Sequence, residues 1–170
     1  YYLCFLPERL GRISSLILGF FYSRIKLDPE QKEKLTALHK EGIIVYVNRH
    51  KSNFEYLFLH TRYRKEKLPF PEIGMDYHIW FWQPFSRILR MLLAKTDFLM
   101  RHHRLPNAYT DGYIGKEISK GRTAMLSLID EKGFTRRFVE AKTDPIEYLI
   151  TLQARMDKPV FLVPNLMFFS

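Results

Sequence analysis

A histidine and a carboxylate stand five positions apart in the stretch Val47-Asn48-Arg49-His50-Lys51-Ser52-Asn53-Phe54-Glu55-Tyr56. An imidazole takes a proton from a hydroxyl most effectively when its other nitrogen donates to a fixed carboxylate. Two elements must hold such a pair. Residues 43–47 are a short, β-branched apolar run with the character of a buried strand, and Phe54, Leu57 and Phe58 follow at helical spacing. His50 is therefore expected in a strand-to-helix loop. Ser52 or Asn53 would cap a helix over about 53–65, with Glu55 in its first turn, where the helix dipole favours an anion. A His and a Glu at this spacing in a basic segment also read as two solvated surface residues.

The chain has 170 residues, 46% hydrophobic and 26% charged, a composition suited to one domain with a substantial core. Aromatics reach 15% and the formal charge is +9, so anionic partners are favoured: phosphate esters, acidic headgroups, an acidic carrier protein or nucleic acid. The basic residues are spread along the chain and no recognised nucleic-acid motif is present, so nucleic acid is not expected as a partner. The single cysteine, Cys4, excludes an internal disulfide framework and a Cys-rich zinc site. Cys4 reads as a structural residue in a reducing compartment.

Residues 1–27 form an apolar N-terminal segment whose densest run, 13–22, is about half of the roughly 20 residues that a bilayer requires. Arg9, Arg12 and Arg24 flank it, a pattern expected of a helix lying in a membrane interface, although a core-packing helix has similar composition. No signal-peptide cleavage site follows. Residues 28–170 form the second unit. Asp28-Pro29 with Gln31 starts a helix that ends at Gly42. Arg62, Arg64, Lys65 and Lys67 cluster at the end of the 53–65 helix, where they complement its dipole or meet headgroups. Trp80 and Trp82 fall between Ile79 and Phe85, as core, as interfacial rings or as walls of an apolar pocket. A helix over about 84–95 carries Phe85, Ile88, Leu89, Leu92 and Leu93 on one face.

Residues 97–101 read as a strand ending in Arg101, whose planar fork at a strand edge suits a phosphate. His102 and His103 raise metal binding, but neighbours on an extended chain point opposite ways and no third ligand is evident, so no metal is expected. Residues 107–132 read as a helix interrupted at Gly112, Gly115 and Gly121 and closed by Gly133, with Gly112 and Gly115 serving close helix packing rather than a phosphate loop. A strand over 134–140 contains Arg137, Phe138 and Glu140 and leads into Ala141-Lys142-Thr143-Asp144-Pro145, which starts a helix over 145–157. The last strand, 159–168, includes Val160-Phe161-Leu162-Val163-Pro164. Strands alternating with helices imply an α/β fold with a mostly parallel or mixed sheet flanked by helices, and with site residues at the strand ends.

Four blocks in this order resemble the glycerol-3-phosphate and 1-acylglycerol-3-phosphate acyltransferases of the glycerolipid acyltransferase superfamily. His50-Lys-Ser-Asn-Phe-Glu55 resembles the family's His, four residues, Asp, with Glu in place of Asp. Asp97 to Arg101 resembles a short second block ending in Arg, and Val160 to Pro164 the fourth, an apolar strand ending in Val-Pro. In the third, Phe138 and Glu140 match, while Ala141, Thr143 and Asp144 stand where the family has Gly, Arg and Ser.

The resemblance implies an O-acyltransferase of phospholipid biosynthesis that moves a fatty acyl group from acyl-CoA or acyl carrier protein to a hydroxyl of glycerol 3-phosphate. Lysophosphatidate as acceptor, or a non-catalytic lipid-binding relative, are its alternatives. His50 and Glu55 would be catalytic. Arg101, with Lys142 or Arg137 for the missing positive charge, would hold the phosphate, Glu140 would bond polyol hydroxyls, and Ser52 would lie at the substrate-binding helix start. No resident cofactor is implied. The location implied is membrane-associated, on the cytoplasmic face of the inner or plasma membrane, and members of the family continue beyond the position of Ser170, as expected of a fragment.

Overall fold

The computed structural model describes residues 5–7, 10–22, 25, 27–75, 83–129 and 143–165. Their elements run α1 (Arg12–Tyr22), α2 (Pro29–Glu41), β1 (Ile43–His50), α3 (Asn53–Lys65), β2 (Ile73–Gly74), α4 (Phe85–His102), α5 (Tyr113–Ser119), β3 (Ala124–Ile129), α6 (Pro145–Gln153) and β4 (Val160–Asn165). The four strands form one sheet in the order β2-β3-β1-β4, and every pairing between them is parallel. The protein is thus α/β, and each parallel step is made by a crossover that carries a helix, as parallel pairing requires.

Burial explains which residues became strands. Ile43, Ile44, Val45 and Tyr46 are all buried, as are Ala124 to Leu126, so β1 and β3 are covered on both faces. On one face Ile44, Tyr46 and Met125 pack with Leu57, Leu59 and Tyr63 of α3 and Leu18 of α1. On the other, Ile43, Val45 and Leu126 meet Ile114 and Ile118 of α5 and Leu149 of α6. Tyr22 closes the α1 to α3 packing edge-on, with ring centroids 5.3 Å from Phe54 and 5.5 Å from Phe58. Three helices begin on the side chains that the sequence offers: Asp28 accepts from the Glu30 amide at 3.1 Å, Ser52 from Phe54 at 3.2 Å and Asp144 from Ile146 at 2.8 Å.

Three expectations are corrected. Residues 97–101 are not a strand but the last third of α4, an 18-residue helix. The apolar spacing that starts at Phe85 simply continues, Arg101 bonds Asp97 one turn back at 3.0 Å, and Phe98 lies 4.3 Å from the His102 ring. The helix stops at His103, which is left-handed with φ 51°. Second, the expected helix over 107–132 is only α5, and residues 124–129 are β3, because an apolar run covered on both faces lacks the period-two signature of an exposed strand. Third, β1 reaches His50, which pairs with Ile129. The histidine is the last residue of a strand rather than part of a loop. The expected strand over 134–140, the two tryptophans and Cys4 lie outside the described residues.

The glycines divide into two kinds. Gly115 serves helix packing: a Cβ there would come 2.7 Å from the Tyr148 hydroxyl, to which its own amide donates at 3.0 Å. Gly112 and Gly121 instead supply left-handed backbone, with φ of 72° and 93°.

Gly42 fixes the join between α2 and the sheet. Its amide caps α2 by donating to Leu38, while Ile43 donates to the Pro159 carbonyl at 2.9 Å. A Cβ at 42 would collide with that same carbonyl and lie 2.8 Å from the Phe161 ring. Gly42→Ala is expected to push β4 away from β1 and to destabilise the protein by about 1–3 kcal/mol, the usual cost of overpacking, read as a lower thermal midpoint by circular dichroism.

Candidate functional site

The carboxyl ends of β1, β3 and β4 form the site, built on a buried polar row. Asn48 lies in register with Ser127 on β3 and Asn165 on β4. Asn48 and Ser127 are completely buried, and the Asn165 side-chain amide donates to Asn48 Oδ1 at 3.0 Å. Two positions along, and by strand alternation on the same face, comes His50. That face also carries Ile44 and Tyr46, which pack beneath α3. Beyond the buried row the chain emerges, and His50 is exposed.

Two residues, Lys51 and Ser52, then turn the chain into α3, with the Lys51 amide donating to Ile129 at 3.2 Å. Ser52 caps the helix, so the amides of its first turn and the positive end of its dipole face the carboxyl edge of the sheet. Ligands of open parallel sheets bind in this position. A developing oxyanion or a phosphate held there would meet N–H donors already fixed by the helix.

Glu55 lies in the first turn of α3. Its Oε2 is buried and accepts no hydrogen bond, and burial raises its pKa above the ordinary carboxylate value. No hydrogen bond or ion pair joins Glu55 to His50 among the described residues. The two side chains share one end of the sheet without forming a bonded pair. A buried acceptor without a donor costs stability, and such groups concentrate at functional sites. An imidazolium or a substrate hydroxyl entering the site would supply the missing donor.

The remaining expected residues are placed differently. Arg101 is on the exposed face of α4, 73% accessible and paired with Asp97, because the segment is helical and does not end a strand at the sheet edge. Arg137, Glu140 and Lys142 lie outside the described residues. The row of Asn48, Ser127 and Asn165 is absent from the sequence reading. Its only signal is Asn48 directly after the apolar run 43–47, since Ser127 stands in a segment that reads as helix and Asn165 follows the Val-Pro block with no partner evident in the sequence. No protein-family model matches the chain, and no solved structure matches it.

Glu55 makes a definite prediction about pH. Its pKa is higher folded than unfolded, so the native state is favoured when the group is protonated, below the ordinary range near 4.5, and loses that advantage as pH rises through the raised folded value. Glu55→Gln is expected to be more stable than the unaltered protein at neutral pH, by about 1 kcal/mol, the low end of the cost of an unsatisfied buried polar group. The difference should vanish in acid, below the unfolded carboxyl's range. Urea midpoints at several pH values measure it, and equal midpoints throughout would mean that Glu55 is solvated.

Proposed function

We propose that this chain is an O-acyltransferase of the glycerolipid acyltransferase type, which transfers an acyl group from a thioester to a hydroxyl of glycerol 3-phosphate. One observation carries the reading. His50 ends a central parallel strand, and a Ser52-capped helix with Glu55 in its first turn begins two residues later over a buried polar row. The combination offers a base, a carboxylate and oriented amides at the open end of an α/β sheet, which suits direct acyl transfer. The family resemblance of residues 50–55 supplies the substrate class.

In the reaction, His50 removes the proton from the acceptor hydroxyl as its oxygen attacks the thioester carbonyl. Amides at the start of α3 receive the charge on the carbonyl oxygen. Collapse breaks the carbon–sulfur bond, and the imidazolium returns its proton to the leaving thiolate. Product ester and free thiol leave, and no acyl-enzyme forms. Glu55 enters as the carboxylate that orients the imidazole and balances its charge once the acceptor is bound. Ser52 acts through its cap, which fixes the amides. Arg137 and Lys142 are the proposed phosphate partners and Glu140 the partner of the polyol hydroxyls, on the resemblance alone.

A bilayer surface is the proposed place of work. α1 turns Leu16, Ile17, Phe20 and Phe21 to solvent, with the two phenylalanines 68% and 67% exposed. α4 likewise exposes Phe85, Leu89, Leu92, Leu93 and Met100. Two apolar helix faces on a basic protein suit contact with lipid, as in interfacial helices. Among the described residues no helix is long and apolar enough to cross a membrane.

The unmade bond to Glu55 favours a second reading, a lipid-binding relative without turnover. Thiol release from a long-chain acyl thioester separates the two. The acyltransferase reading expects release that depends on glycerol 3-phosphate and falls by about 10²–10⁴ in His50→Ala, the range of general base catalysis. His50 is exposed, so the variant should keep its circular dichroism spectrum and midpoint. Unchanged release in the variant would remove His50 from the reaction, and no release from the unaltered protein with glycerol 3-phosphate or lysophosphatidate would favour the non-catalytic reading.

A further inference from the structure

α1 and α3 lie side by side in opposite directions. Tyr22 at the end of α1 meets Phe54 near the start of α3, whereas Leu10 and the first turn of α1 meet the last turns of α3. Between these latter ends is an open cavity of about 650 Å3. Its volume is within the usual range for small-molecule sites. Along the axis of α3 its lining runs from His60 to Lys65, roughly 8 to 15 Å beyond Glu55 at 1.5 Å per residue, toward the end of the helix away from the strand ends.

The walls of this cavity are of two kinds. Leu10 and Leu16 are apolar, and Leu16 continues into the exposed face of α1. Arg12, Arg64 and Lys65 are cationic, Ser15 and Thr61 add hydroxyls and His60 a ring, and among the described residues no carboxylate lines the space. None of the three cations has an ion-pair partner among the described residues. The neighbouring acid, Glu66, is engaged by Lys32 at 2.9 Å and by Arg62 at 3.3 Å. Complementing the end of α3 does not account for this much charge. A helix terminus carries about half an elementary charge, and the positive start of α1 opposes the negative end of α3 at this point, so the two dipoles together do not balance three cations.

We infer that the cavity between α1 and α3 binds the phosphate head of an amphiphile, with Arg12, Arg64 and Lys65 around the phosphate and the apolar part against Leu10 and Leu16. Lysine and arginine suit phosphate oxygens as a point charge and a fork, respectively. The apolar wall distinguishes a lipid phosphate from a free one, because only the former buries hydrocarbon there. The site lies where the apolar face of α1 would bring it to headgroup depth. This inference stands whether or not the chain transfers acyl groups, since binding needs neither His50 nor a thioester.

Flotation with phosphatidylcholine vesicles, with and without phosphatidate, tests it on the chain described. A parallel titration with glycerol 3-phosphate serves as the source of phosphate without hydrocarbon. The expected result is binding that requires phosphatidate, weakens by roughly tenfold or more in Arg64→Glu/Lys65→Glu, and greatly exceeds the affinity for glycerol 3-phosphate. Lys40→Glu/Lys158→Glu makes the same change in net charge on exposed residues elsewhere. An equal loss in this control would assign the binding to diffuse charge and overturn the site. Equal affinity for glycerol 3-phosphate, or binding indifferent to phosphatidate, would overturn it as well. Both variants alter only exposed side chains, and matching thermal midpoints verify their folding.

Discussion

β1 is the constraint on which everything else rests. It is paired along most of its length on both edges, with β3 from Val45 to His50 and with β4 from Ile43 to Asn48. Its backbone groups are thereby satisfied in a position where water cannot reach, the condition for burying a strand at all. Covered on both faces, its first four residues can be purely apolar. Asn48 alone among the buried residues of the strand is polar, and it is bonded to Asn165. The site inherits its rigidity from this strand, because His50 is one alternation beyond Asn48.

Two kinds of helix are attached to that strand, and they differ in what their apolar residues do. α3, α5 and α6 place theirs against the sheet. α4 buries only Met91 fully and is held through Arg87, which donates to the carbonyls of Phe5 and Leu6 at 3.2 and 3.0 Å. Its apolar stripe faces outward, flanked by Arg90, Lys95 and Arg101. An arrangement that would be costly in water becomes favourable where the surrounding medium is hydrocarbon. α1 likewise divides its apolar residues between Leu18 and Tyr22 inside and Phe20 and Phe21 outside.

Much of this architecture was legible in the sequence where local chemistry agrees with tertiary context. Asp28-Pro29, Ser52 and Asp144-Pro145 announced three helices correctly, since a cap is a local interaction, and residues 43–47 announced the central strand. Legibility failed where context decides. Residues 124–129 carry no alternation because both faces are buried, so they passed for helix. Residues 97–101 passed for strand because the end of α4 was judged without the turns before it. At the site, Ser52 and Glu55 were placed correctly, but the missing His50 to Glu55 bond and the polar row depend on register between strands that are distant in sequence. A single chain does not print that register.

The same register has a consequence in time. Asn48 and Asn165 are 117 positions apart, and β3 also lies far downstream of β1. As the polypeptide is made, the central strand therefore appears early and waits for both of its partners, a topology of high contact order. Until residue 160 emerges, one edge of β1 offers unpaired backbone to any extended segment nearby. Biogenesis of this fold thus has its vulnerable interval between the synthesis of β1 and the arrival of β4.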